Sequence, residues 1–248
     1  MLTDFNCRPQ GPVIPVPTDS PSEDLVLLPM VITNIDEEYG CVSALTPQGR
    51  WVRPEPVLSS EVVGEQLYYR YRQPFRCAVA PGVQEDRRPE DHAIMKRLPT
   101  PEDAPYGGKD QLATWMAAQC DASVNEAFAG ERSVGLVHAT PERVYLQRST
   151  RNRVFVRLVF KDPSGQSYDW IVPDVVFSEL TLLQLRGASD AEASADRLLT
   201  ILKATKMFIA AALTKPNNRF PGVFRGCQPL VGGVHTFPDY RALFEAVR

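Results

Sequence analysis

The sequence predicts a mainly β protein with added helices, two Greek-key barrels joined by a helical connector, and three observations predict it. Short apolar runs broken by Gly, Pro and Asn fill residues 25–80, and a second such set fills residues 133–214. Between them, Leu112, Trp115, Met116, Ala118, Cys120, Val124 and Phe128 recur at roughly helical spacing. The 248 residues are enough for two cores, each in a domain of roughly 100 residues.

Taken in order, residues 1–23 carry Pro9, Pro12, Pro15, Pro17 and Pro21 with few large apolar side chains, which reads as an extended arm without a core. Residues 24–105 form the first domain and its linker, with strands expected at 25–33, 40–45, 50–53, 65–71 and 75–80. Strands this short, separated by turn residues, suit a small sandwich or barrel. Residues 81–108 are rich in Pro and charge and read as a connector at the domain junction. Residues 106–132 hold the connecting helix, expected over 110–128 with Gly130 as its stop.

Residues 133–248 form the second domain, with strands expected at 134–139, 143–147, 154–161, 168–173, 207–213 and 231–236. Asp162-Pro163-Ser164-Gly165 has the composition of a type I turn followed by a left-handed glycine, so the runs on either side should pair as a hairpin. Residues 174–206 read as a helical insertion whose strongest helix is 191–205, and residues 238–247 as a terminal helix with Pro238 in its first turn.

The charge balance limits the functional classes. A net charge of −3 supplies no global attraction to phosphate, so nucleic-acid binding would have to be local. Arg outnumbers Lys by 21 to 6, and Arg is the residue that makes forked contacts and stacks on aromatics. No apolar run approaches the ~20 residues of a membrane span, and the N-terminus lacks a basic-then-apolar leader. A cytoplasmic protein without a membrane partner is expected. Cys7, Cys41, Cys77, Cys120 and Cys227 are odd in number and never spaced as C-x-x-C, which argues against a disulfide framework and a zinc site.

Gly49, Trp51, Val52, Arg53 and Pro54 make a Gly-x-Trp-aliphatic-Arg-Pro turn after a strand pair, and Arg87 to Asp91 reads RRPED. Residues 155–177 form a hairpin ending in an Asp-containing corner, and MFIAAALTKP and GVHTFPDY follow in order. In these pieces the chain resembles the prokaryotic dual OB-domain proteins over most of residues 25–240. It departs from them in the Pro-rich first 23 residues and in Pro173-Asp174, where a threonine before the aspartate is usual. The resemblance implies that both barrels are OB-like, and it implies a nucleic-acid connection in phage-defence or nucleic-acid-modification loci. It implies no known reaction.

Two clusters could hold a single strand, since bases stack on aromatic platforms while cations follow the backbone. The first holds Arg50, Trp51, Arg53, Tyr68, Tyr69, Arg70, Tyr71, Arg72, Phe75 and Arg76. The second holds Arg143, Tyr145, Arg148, Arg151, Arg153, Phe155 and Arg157, with Arg148 to Arg153 read as a loop exposed to phosphate. The nucleic-acid contacts are therefore expected from Arg50, Trp51, Arg53, Tyr69, Arg70, Arg72, Arg148, Arg151 and Arg153. Ordinary half-buried strands show the same interleaving, with aromatics filling a barrel and arginines coating it. For Trp51 and Arg53 the structural role weighs more, with Arg53 pairing to an acid such as Glu90.

Glu85, Asp86, Glu90, Asp91 and His92, followed by Lys96, are the densest acid and His group, but they lack nuclease spacing and look like a solvated linker. His138 and His235 have no Cys or His at ligand spacing. No phosphate loop, nucleophile elbow or HExxH is present. The expectation is a non-enzymatic protein without metal or cofactor. A protein-docking adaptor is the second reading and a metal-dependent nucleic-acid enzyme the third.

Overall fold

The computed structural model describes residues 21–64, 67–82, 88–100, 106, 108–186, 188, 190–216 and 224–245. Nearly all of the Pro-rich arm therefore lies outside the described residues. The chain divides into two compact units. The first takes the described residues up to Gln119 together with Ala129–Val134, and the second takes Cys120–Phe128 together with the described residues from Gly135 onward.

The first unit is a closed five-stranded barrel, a topology compatible with an OB-like fold. Its strands are β1 (Glu23–Asn34), β2 (Tyr39–Leu45), β3 (Trp51–Glu55), β5 (Phe75–Pro81) and β6 (Asp91–Leu98), with the short β4 (Val57–Leu58) added to β2. The ring runs β1-β2-β3-β6-β5 and back to β1, antiparallel at every step except the parallel β3–β6 pair. Closure depends on β1 serving two partners. Its first half pairs with β5 and its second with β2, and a bulge between Pro29 and Val31 bends the strand where β2 takes over. Two turns set the meander. Asp36 Oδ1 accepts the amides of Glu38 and Tyr39 before β2, and Gly49 takes a φ of +84° in the turn closed by Thr46 and Arg50 before β3. Leu27, Ile32, Val42, Ala44, Val52, Phe75 and Val79 are buried in this unit.

Two expectations for this unit need correction. The Pro- and charge-rich stretch taken for a connector contains β6, whose backbone pairs with both β3 and β5. The strand expected over 65–71 is absent among the described residues, which form a loop that turns Tyr69 and Tyr71 inward. Tyr69 packs edge-on against Tyr68 and Phe75, each with ring centroids 4.8 Å away, and Tyr71 Oη meets the amide of Ile32.

The expected connecting helix is two helices. α1 (Lys109–Ala118) belongs to the first unit, where Trp115 Nε1 donates to the Pro47 carbonyl and its ring meets Tyr106 edge-on. α2 (Val124–Ala127) belongs to the second, capped by the Ser123 hydroxyl, which accepts the Glu126 amide at 3.2 Å. Between them Asp121 leaves the helical path to bond Leu136 in both directions: its amide donates to the Leu136 carbonyl, and its carboxylate accepts the Leu136 amide.

The second unit is built on a five-stranded sheet in the order β11-β10-β7-β8-β9. Its elements are β7 (Val134–Arg148), β8 (Val154–Lys161), β9 (Ser167–Ile171), α3 (Val175–Arg186), α4 (Ala191–Lys203), β10 (Lys206–Leu213), β11 (Pro229–Phe237) and α5 (Tyr240–Glu245). The two runs expected at 134–139 and 143–147 are one strand with a bulge between Pro141 and Arg143. α4 starts on an Asp190 cap and buries Leu198 and Leu202. Phe128, Phe160, Trp170, Phe177 and Ile209 are among the residues of one continuous core. Among the described residues no helix is long and apolar enough to cross a membrane.

The 162–166 turn follows the expected chemistry, with Gly165 at φ +86° and its amide on the Asp162 carbonyl. The Asp162 carboxylate accepts from Ser164, from the Val124 amide that opens α2 and from Tyr168 Oη. Burial alone would raise this carboxyl, but those donors outweigh it and hold it below the ordinary aspartate value. A depressed carboxyl adds stability that is complete above the unfolded value of about 3.9 and lost as pH falls through the folded one. Asp162→Asn should therefore flatten the acid limb of the melting temperature below about pH 4. An acid limb identical to the parent's would refute that role.

Candidate nucleic-acid interface

The nine residues expected to contact nucleic acid fall into three groups. Trp51, Arg53 and Tyr69 are buried, with only 8%, 8% and 1% of their surface exposed, so Trp51 and Arg53 sit as the structural role weighed more heavily for them requires, and Tyr69 as placed offers no platform to a ligand. Arg50, Arg70 and Arg72 lie at or near the surface of the first unit. Arg50 pairs with Glu23 at 2.7 Å, Arg70 Nε donates to the Leu67 carbonyl, and Arg72 sits half-buried at φ 65° in a turn. Arg148, Arg151 and Arg153 are exposed in the β7–β8 turn of the second unit.

Arg53 explains why the buried part of the first cluster is structural. Its guanidinium donates to Asp91 at 2.6 Å, Ser133 Oγ at 2.7 Å, Glu90 at 3.3 Å and Ser43 Oγ at 3.3 Å. Its amide donates to the Glu90 carbonyl where β3 runs parallel to β6. Glu90 Oε1 also accepts from the Ser133 amide and hydroxyl, and Asp91 Oδ2 from the Arg88 amide. Burial opposes the Arg53 charge, but Asp91 and Glu90 outweigh it and raise the guanidinium above its ordinary value. The arrangement ties the parallel seam of the barrel to the Ala129–Val134 segment. Glu90, Asp91 and His92 are thus core residues, not the solvated linker expected, while Glu85 and Asp86 lie outside the described residues. Among the described residues no group of His, Cys, Asp and Glu is arranged to hold a metal ion.

The second cluster has a different character. Over residues 143–148 of β7 and 154–161 of β8 the buried side chains are Val144, Val156, Leu158 and Phe160, while Arg143, Tyr145, Gln147, Phe155 and Arg157 take the alternate positions. Register sets Tyr145 opposite Arg157 and Gln147 opposite Phe155. β9 contributes Asp169 between the buried Tyr168 and Trp170. Asp169 accepts from Tyr145 Oη at 2.7 Å and Arg157 Nε at 2.8 Å, while Arg157 also donates to Gln147 Oε1 and the Asp169 carbonyl. Burial and the Asp169 hydrogen bond raise the Tyr145 hydroxyl above its ordinary value, so it stays a donor. Arg143 lies over the Tyr145 ring, 4.7 Å from its centroid.

At the end of this face the chain turns over residues 149–153. The Ser149 amide donates to the Arg153 carbonyl, the Ser149 hydroxyl accepts the Arg153 amide, and Asn152 takes a φ of 60°, which its short polar side chain tolerates. The Asn152 carboxamide holds Arg148. Asp169 and Gln147 were missing from the sequence reading, although the Tyr168-Asp169-Trp170 alternation already puts Asp169 on the outward side. No family model matches the chain, and no curated protein is significantly similar to it.

Proposed function

We propose that this protein binds single-stranded nucleic acid, without catalysis, through two OB-like barrels of which the second carries the contact face. The observation that carries this reading is the β7–β8–β9 surface, where an aromatic and arginine layer runs into an exposed turn bearing Arg148, Arg151 and Arg153. OB barrels bind oligonucleotides on the face of their second and third strands and on the loop between the first and second. β7, β8 and β9 form an antiparallel meander, a helical insertion precedes β10, and β10 returns beside β7, an order that supports an OB-like reading of this unit. The resemblance to dual OB-domain proteins supports a setting in phage-defence or nucleic-acid-modification loci.

With a net charge of −3 the binding rests on this local patch. Neutralising Arg148, Arg151 and Arg153 together to Gln should weaken binding of a fluorescent single strand. It should also flatten the log-affinity against log-salt slope by about 2, since each single-strand phosphate contact contributes about 0.7. Affinity and slope equal to the parent's would remove this turn from the interface. A parent that binds neither strands nor duplexes at two salt concentrations would favour the docking-adaptor reading instead.

A further inference from the structure

The centre of the β7–β9 face is not built to hold phosphate. Three of the five N–H donors of Arg157 are already engaged: Nε by Asp169 Oδ1 at 2.8 Å, one Nη by Gln147 Oε1 at 3.0 Å and the other by the Asp169 carbonyl at 2.5 Å. These bonds lie in the guanidinium plane, and the Asp169 carboxylate opposes its charge. Asp169 is itself oriented by Tyr145 Oη at 2.7 Å. What such a locked group can still offer is its flat face. The Arg157 side chain is 17% exposed and that of Asp169 44%, so the pair reaches the surface. Arg143 already lies against Tyr145 one register step away, so the face presents a layer of flat groups. Guanidinium planes and aromatic rings are the surfaces on which unstacked bases settle.

We infer that Arg157 is a base-stacking shelf, held in place by Asp169, Gln147 and Tyr145, while the 148–153 turn takes the phosphates. The inference rests on the strand-binding reading and divides the labour within it. Arg157 is a stacking residue, and Asp169 is a positioning residue acting through it.

The experiment compares an oligothymidine strand with a strand of equal length whose central positions are abasic, which keeps the phosphates and removes the bases. The parent should prefer the intact strand by about tenfold, the scale of a base stacked on a planar group. Arg157→Lys keeps the charge and loses the plane, so this preference should disappear while the salt slope stays. Asp169→Asn, at an exposed position, frees the guanidinium without truncating the face and should reduce the preference too. Melting curves matching the parent's establish that both variants fold. If Arg157 were instead a phosphate ligand, Arg157→Lys would retain the preference and Asp169→Asn would tighten binding of both strands, which overturns the shelf and leaves strand binding intact. A parent that binds neither strand overturns both readings at once.

Discussion

Arg53→Ala should lower the unfolding free energy by about 3 to 5 kcal/mol, the range seen when one partner of a buried ion pair is removed. The loss comes less from the attraction than from what stays behind. Glu90 and Asp91 are 2% and 5% exposed, and without the guanidinium both carboxylates remain buried with no cation paired to them among the described residues. Arg53→Lys should recover part of the loss, because one ammonium can meet one carboxylate but cannot span Asp91, Glu90, Ser133 and Ser43 together. Adding Glu90→Gln and Asp91→Asn to Arg53→Ala should restore stability relative to Arg53→Ala alone. The measurement is a urea titration in which the midpoint falls. A shift of less than about 1 kcal/mol for Arg53→Ala would mean that water reaches the carboxylates and the site is open.

In the second unit the comparable loss is expected at Asp174, which is fully buried. Its Oδ1 accepts the Val176 and Phe177 amides at 2.9 and 3.1 Å, capping α3, and its Oδ2 accepts the Val234 amide of β11 at 2.8 Å. Asp174→Ala strands three donors, the buried amides of Phe177 and Val234 and the half-buried amide of Val176. A lost helix cap costs about 0.5 to 2 kcal/mol and a stranded buried donor about 1 to 3, so a total near 3 to 4 kcal/mol is expected. Asp174→Asn keeps one oxygen and loses the other, and should fall between Ala and parent. Hydrogen exchange separates the two functions: with Asp174→Ala, protection should drop in the first turn of α3 and at Val234. Loss confined to α3 would show that the tie to β11 carries no stability. Pro173, directly before this aspartate, leaves the carboxylate's own bonds in place.

Much of the strand framework was legible because local chemistry and final packing agree. β8 carries Val156, Leu158 and Phe160 inward, and the turn after it has the one residue type that accepts the left-handed position at low cost. β6 was hidden for the opposite reason. Its residues DHAIMKRL show little alternation and follow a Pro-rich, charged stretch, so what identifies it is its pairing with β3 and β5, a contact that no local pattern announces. The broken helix was partly readable. Ser123 followed three residues later by Glu126 has the sequence of a capping box and signals a fresh helix start, but the apolar spacing ran through it and concealed the break that Asp121 makes.

The candidate interface was legible at its edge more than at its centre. Arg148, Arg151 and Arg153 flank turn residues, so exposure follows from sequence alone. Tyr69 could not be placed the same way, because an aromatic on a half-buried strand and one on a binding face share a spacing, whereas for Trp51 the weight of burying a large aromatic already favoured the structural role. The role of Asp169 depends on cross-strand register, which sets Arg157 and Tyr145 opposite one another and brings β9 alongside.

The chain order of the Arg53 cluster also bears on how the protein is made. Ser133 follows Glu90 by 43 residues and Arg53 by 80, and Cys120–Phe128, which belong to the second unit, are synthesised before it. At ~5–20 residues per second, Glu90 leaves the ribosome's catalytic centre about 2 to 9 s ahead of the serine that completes its shell. A nascent chain of this protein therefore begins its second unit while the first still lacks its last strap.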